Sequence, residues 1–317
     1  MKLVFHLGYP RTGSTFLQTS IFPKHKEINF LGPKNYFNWE DVKINQTTLN
    51  KFRDFYLLDT QNDFKNNVIK HFDKKKINVI SSENYLTSKN VINDFYDCKY
   101  LEDLLQSEEL EISFLIVLRN QYDLIYSFYH HAYGQIIQYL KIKNFEKLIN
   151  KIDGDLETSS QSFVLKLFFQ QYDFNLIDKK LKSLFKNIKI KYLFYEDLKF
   201  NQNIFIDEFS EFLKLDKVYT KNLFDEKKVN ESIVYNKNQY IISPLKYKII
   251  HNKTFIALKN KFPFKNLLKQ YYLKYFVYTK AKKIYDEDRL KHIVKEYYKH
   301  SNKTFFENTK LENKFDY

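Results

Sequence analysis

Cysteine, glycine and proline are scarce in this chain, and each scarcity removes an architecture. Cys98 stands alone among 317 residues, so there is no internal disulfide framework and the chain fits a reducing compartment. Five Gly and five Pro leave neither a flexible linker nor a clear domain boundary, and no internal repeat runs along the chain. No group of Cys and His has the spacing of a metal site, so no metal is expected. Apolar runs are short as well. FLIVL at 114–118 falls far below the ~20 residues that span a bilayer, and no apolar leader precedes Gly8, so a cytoplasmic protein is expected.

What remains is enough for a large core: 44% of residues are hydrophobic and 18% aromatic, which suits one α/β domain with an appended helical part. The abundance of Lys, Asn, Ile, Phe and Tyr is the mark of AT-rich coding in a microbial source, and it discounts much of the aromatic excess. A formal net charge of +14 points to acidic partners: a nucleotide, a sulfated or phosphorylated glycan, anionic lipid or nucleic acid. The same charge also fits a basic solvated surface of no specific use. No recognised nucleic-acid motif is present.

GYPRTGSTFLQ, residues 8–18, is almost a phosphate-binding loop. Gly8 and Gly13 keep the spacing of G-x-x-x-x-G-K-[ST], but Ser14 stands where Lys belongs and Arg11 is the only cation. KLVFHL before it reads as a buried parallel strand, and Phe16, Leu17, Ser20 and Ile21 after it have helical spacing. Strand, loop and helix in that order aim helical N–H groups at the loop, where anions bind. A tight turn with incidental glycines is the competing reading.

Three further strand-like runs end in polar residues: INVISSENY at 77–85, ISFLIVLRN at 112–120 and IKIKYLFYEDL at 188–198. Continuous apolar runs between helical stretches imply a parallel sheet with helices on both faces, whose ligands sit beyond the carboxyl ends of the strands. Ser81, Ser82, Glu83, Arg119, Tyr195, Glu196 and Asp197 fall at those ends. After Arg119, the spacing of Leu124, Ile125, Phe128 and Tyr129 predicts a helix that carries Ser127. Arg119 and Ser127 can converge on one phosphate as a second anion site; alternatively Arg119 pairs with Asp123 or Glu83.

These segments together resemble a sulfotransferase that uses 3′-phosphoadenosine 5′-phosphosulfate (PAPS), of the bacterial type that sulfates carbohydrates and other acceptors. The family's first pattern, close to [YF]-P-[KR]-[ST]-G-[ST]-T, is matched by Tyr9, Pro10, Arg11, Thr12, Gly13, Ser14 and Thr15. Its second, R-[ND]-P-x-D with a later Ser, is matched by Arg119, Asn120, Asp123 and Ser127, with Gln121 in place of Pro. YLFYEDL with the helix ending at Leu213, and YYKHSNKTFFE at 297–307, are weaker matches that extend the resemblance to about residue 307.

The resemblance implies a P-loop-like, three-layer α/β/α fold with a central parallel sheet, in a single domain over 1–317 whose part from 235 to 317 is mostly helical. It implies that Arg11, Thr12, Gly13, Ser14 and Thr15 grip the 5′-phosphosulfate, that Arg119 and Ser127 hold the 3′-phosphate, and that Tyr195 lies near the adenine. Arg11 also stabilises charge in the transition state. Glu83 takes the place of the general base, with His6, His130 and His131 as rivals; alternatively Glu83 caps a helix or pairs with Arg11 or Arg119.

The implied acceptor is hydroxylated, with a glycan or glycan precursor favoured over a small metabolite, a lipid or Tyr. KKVNES at 227–232 is the candidate for a loop closing over the nucleotide. LKQYYLKYFVYTKAKKIY at 268–285 suits an acidic polysaccharide or an anionic membrane surface, or else a packed aromatic stripe with a solvated Lys face. Two other classes compete: a P-loop kinase or NTPase, which the missing Gly-Lys disfavours, and a basic nucleic-acid-binding protein.

Overall fold

The structure is a computed structural model. It describes residues 1–9, 11–32, 71–82, 86, 110–131, 142, 144–152, 160–185, 188–226, 240–242, 278–280, 284 and 286–317. The chain divides into two compact units: Met1–Asn120, Leu167–Glu231 and Ser301–Tyr317 form the first, and Gln121–Lys166 and Ser232–His300 the second.

The first unit is built on five parallel strands: β1 (Lys2–Leu7), β2 (Ile28–Gly32), β3 (Ile77–Ser82), β4 (Glu111–Leu118) and β5 (Lys189–Phe194), in the spatial order β2-β3-β1-β4-β5. Near-continuous apolar composition is what a parallel strand covered on both faces requires. In β4 every residue from Phe114 to Leu118 is buried.

The helices follow the strands. After β1 come α1 (Ser14–Phe16) and a π-helical segment (Leu17–Ile21). The helices α2 (Gln121–His131), α3 (Phe145–Asn150), α4 (Ser160–Gln170) and α5 (Phe174–Leu184) fall between β4 and β5. α6 (Tyr195–Phe200), α7 (Gln202–Leu213) and α8 (Lys217–Asp225) follow β5, and α9 (Glu287–Thr309) comes last. Local chemistry sets several starts: Asp173 accepts from the Leu176 N–H and Asp216 from the Tyr219 N–H, each satisfying a first-turn donor of α5 or α8.

Alternation along the strands gives the sheet two buried faces. On one, Val4, Val79, Leu115, Val117 and Leu193 pack with Phe16, Phe22, Phe205, Phe209 and Phe224. On the other, Phe5 meets Phe114, Phe114 meets Phe185, Tyr192 meets Phe305, and Phe194 meets Phe306. Helical segments therefore cover both faces, and the unit is a three-layer α/β/α structure as expected.

In the second unit, Asn144 caps α3 by accepting from the Glu146 and Lys147 N–H groups. The Phe145 ring meets Tyr122, Tyr126 and Tyr129 of α2. Strands β6 (Tyr240–Ile242) and β7 (Tyr278–Lys280) pair antiparallel within this unit. They are too short to carry a strand signal in the sequence.

β2 is a further strand that the sequence reading does not identify. INFLG is brief, pairs on one side only, and breaks register between Phe30 and Gly32. The expected helix after the loop is present, but after one turn it widens into π geometry. KKVNES lies outside the described residues, as does 268–285 apart from 278–280 and 284. Among the described residues no helix is long and apolar enough to cross a membrane.

Phe209 sits with its ring 6.1 Å from Phe22, 6.1 Å from Phe205 and 6.0 Å from Phe224, fully buried. Phe209→Ala is expected to cost about 3–5 kcal/mol of unfolding free energy through lost burial and the cavity left behind, measured as a lowered urea midpoint at unchanged slope.

Candidate active site

The strand order creates one switch point. From β1 the chain moves to the β2–β3 side, whereas from β4 it moves on to β5 at the opposite side, so the connections diverge between the carboxyl ends of β1 and β4. Such a divergence leaves a crevice where ligands of open parallel sheets bind. The Gly8–Gly13 loop leaves β1 there, and Arg119 and Asn120 leave β4 beside it.

The loop is tightly shaped. A Cβ at Gly8 would lie 2.4 Å from Ser14 Oγ, and one at Gly13 would lie 2.7 Å from Leu198 Cδ2 with φ at +84°, so neither position accepts a side chain unchanged. Inside the loop the Thr12 hydroxyl donates to the Tyr9 carbonyl at 2.7 Å, and the Ser14 hydroxyl reaches the same oxygen at 3.4 Å. Both side chains are buried and turned onto the loop's own backbone, whereas Arg11 and Thr15 are exposed. Arg11 has φ at 75°, a left-handed conformation that is costly outside glycine.

Arg119 joins the second strand end to this loop. Its Nη1 donates to the Arg11 carbonyl at 2.9 Å, and its guanidinium carbon lies 4.8 Å from the centre of the Tyr195 ring. Register explains the stacking: Leu118 pairs with Phe194, so Arg119 and Tyr195 are the first residues beyond the paired ends of adjacent strands. Tyr195 also lies against Gly13, its ring 3.6 Å from the position of a Cβ there. Arg11, Gly13, Arg119 and Tyr195 are thus brought together.

Glu196 adds a cross-tie at the same level. One carboxylate oxygen accepts from the Asn120 N–H at 2.9 Å and the other from the Tyr317 hydroxyl. Burial holds this carboxyl above its ordinary range, opposed by the Asn120 and Tyr317 hydrogen bonds and the Arg119 charge.

Beneath the loop lies a buried polar chain. Gln18 Nε2 donates to Ser81 Oγ at 2.8 Å, and Ser81 Oγ lies 2.7 Å from His6 Nδ1. Either imidazole tautomer can make the bond to Ser81, and the other ring nitrogen, Nε2, is buried without a hydrogen-bond partner among the described residues. Burial pushes His6 down to about 3, so it is neutral at ordinary pH. Packed on β1 and sealed from solvent, His6 cannot reach an acceptor hydroxyl.

The other expected residues are placed as follows. Ser127 lies on α2, within the second unit, as do His130 and His131. Glu83 and Pro10 lie outside the described residues; Ser82, which precedes Glu83, pairs with Leu7 at the entry to the loop. The sequence motifs assign no part to Gln18, Leu198 or Tyr317. Nothing local marks Tyr317, which meets Glu196 across 121 positions.

The His6 shift has a signed consequence. Because the folded value lies near 3 and the unfolded one near 6.5, the imidazole's contribution to stability is complete above pH 6.5 and is lost as pH falls toward 3. His25, lowered chiefly by its burial, acts in the same direction. The difference in unfolding free energy between wild type and His6→Asn is therefore expected to shrink as pH drops from 7.5 to 4.5, by at most about 1.4 kcal/mol per pH unit. A difference that stays constant in urea titrations would mean that the imidazole takes up its proton in place.

Comparison with known proteins bears on this arrangement. No curated protein matches the chain. Among solved structures, the crystal structure of a sulfotransferase from Alicyclobacillus acidocaldarius is similar at 15% sequence identity, with a TM-score of 0.41 over 68% of this chain and 81% of that one. Residues 2–270 match the family described as the sulfotransferase domain, a span that holds both strand-end segments and the greater part of the chain. The chain belongs to the sulfotransferase domain family.

Proposed function

We propose that this sulfotransferase moves a sulfuryl group from PAPS to the hydroxyl of a glycan or glycan precursor, and that residues 1–317 act as one domain in the cytoplasm. One observation carries the reading: two anion-suited segments, the Gly8–Thr15 loop and Arg119, meet at one strand-end crevice and are tied by the bond from Arg119 to the Arg11 carbonyl.

The residues present fit the donor. Arg11 and Thr15 are exposed at the loop, and Arg119 rests on an aromatic ring with its fork directed toward the loop. Since the Thr12 and Ser14 hydroxyls are engaged with the Tyr9 carbonyl, those residues serve an anion through their backbone N–H groups. When bound, the donor supplies a sulfuryl group already activated on a phosphate.

Arg11 then stabilises negative charge that grows on the oxygens as the sulfur–oxygen bond breaks, with a forked donor in place of a Lys point charge. Arg119 and Ser127 hold the 3′-phosphate, and Tyr195 lies beside the adenine. Glu83 takes the acceptor's proton. In the sequence Glu83 directly follows Ser82, which pairs with Leu7 at the loop entry. The basic, aromatic stretch at 268–285 is either a peripheral contact for an anionic membrane surface or a packed aromatic stripe with a solvated Lys face. The net charge of +14 serves acidic small molecules and surfaces rather than nucleic acid.

Thermal denaturation with the product nucleotide tests the donor. At 100 times its dissociation constant, 3′,5′-adenosine bisphosphate should add about 2.7 kcal/mol of stability, whereas ATP with Mg²⁺ should add little. Arg119→Ala should chiefly weaken that binding and Arg11→Ala chiefly slow turnover; bisphosphate affinity within twofold of wild type in Arg119→Ala would remove the second anion site.

Glu83→Gln tests the base. It keeps shape but cannot accept a proton, so turnover should fall by roughly 10² to 10⁴ at unchanged donor affinity, and the acidic limb of the pH profile should vanish. A variant that keeps more than about a tenth of wild-type turnover would transfer the role to His130 or His131.

A further inference from the structure

Residues 310–317 lie outside both anion-suited segments, yet they bind directly to the supports of Arg119. Lys314 Nζ lies 2.8 Å from Asp197 Oδ2, a carboxylate that is almost fully buried. The Tyr317 hydroxyl donates to Glu196, whose other oxygen holds the Asn120 N–H at 2.9 Å. The Tyr317 ring is 4% exposed and packs against Phe174, Phe194 and Phe306, so the hydroxyl is delivered by a fixed side chain. Burial, then the Glu196 charge, push that hydroxyl far upward in pKa, so it stays a donor at working pH.

Glu196 and Tyr317 therefore connect three chain segments. Glu196 lies between Tyr195, which stacks under Arg119, and the backbone of Asn120, the residue after Arg119. The path from Tyr317 through Glu196 to Asn120 ends one residue from the guanidinium that holds the Arg11 carbonyl.

We propose that Glu196 and Tyr317 are positioning residues for Arg119: the hydroxyl–carboxylate–amide chain sets the end of β4, and thereby aims the guanidinium at the loop and at the phosphate of the donor. The proposal rests on the donor reading above. Neither residue touches the nucleotide; both act through Arg119.

The test is the affinity for 3′,5′-adenosine bisphosphate, measured by calorimetry well below the thermal midpoint of each variant. Tyr317→Phe keeps the ring and deletes the hydroxyl, and should weaken binding roughly 3- to 10-fold. Glu196→Ala should lose at least as much. Glu196→Gln can still accept from Asn120 and meet the Tyr317 hydroxyl, and should restore affinity to within about twofold of wild type.

Because the effect passes through Arg119, adding Tyr317→Phe to Arg119→Ala should change nothing further, whereas a general loss of folding integrity would lower affinity in both backgrounds. Unchanged affinity in Tyr317→Phe, additive losses in the double variant, or a Glu196→Gln variant as weak as Glu196→Ala would each overturn the proposal while the donor reading stands. Failure of the wild type to bind the bisphosphate would overturn the donor reading and this proposal with it. Should Tyr317→Phe not fold, the contrast between Glu196→Gln and Glu196→Ala decides alone.

Discussion

The bond from Arg119 to the Arg11 carbonyl is the interaction on which the site depends. Arg11 holds a left-handed backbone at φ 75°, which costs a non-glycine residue about 1–3 kcal/mol. A hydrogen bond with a charged partner contributes about 1.5–3 kcal/mol, so one guanidinium contact is of the size needed to offset that strain. The loop conformation is therefore not a property of the loop alone. It is maintained from the neighbouring strand, because β1 and β4 are paired in parallel and open their carboxyl ends side by side.

Around that bond the supports are of two kinds. Below, the chain from Gln18 through Ser81 to His6 ties the helical segment after the loop to β3 and β1 with buried polar groups. Above, Leu198 and Tyr195 close on Gly13. Polar and apolar supports together leave the loop little room to relax, and fixed dipoles are what stabilise developing charge without reorganisation. The two glycines permit these close approaches, whereas the hydroxyls of Thr12 and Ser14 complete the loop from within.

Buried ionisable groups surround this region without being its chemistry. Asp197 is buried and engaged by Lys314, Glu196 is shared between an amide and a hydroxyl, and His6 is neutral by desolvation. Isolated buried charges are costly, and each of these groups is paired, bonded or uncharged. A perturbed pKa near a ligand crevice thus marks scaffold as readily as catalyst, and geometry separates the two: His6 is sealed, while Arg11 is exposed.

The sequence by itself determined the strand–loop–helix order of the first anion segment, the placement of Arg119 after an apolar strand, and the parallel character of the sheet. These are encoded locally, as continuous apolar runs, two glycines at fixed spacing and polar residues where a strand ends. It did not show β2, whose five residues lack a periodic signal, nor the π geometry at Leu17–Ile21. Tertiary structure alone decided that Arg119 would meet the carbonyl of Arg11 from 108 positions away, that Tyr195 would lie beneath it, and that Tyr317 would reach Glu196. Those contacts follow from strand register and from which helix covers which face. Such choices are settled by packing across the whole unit, and no short window of sequence contains them.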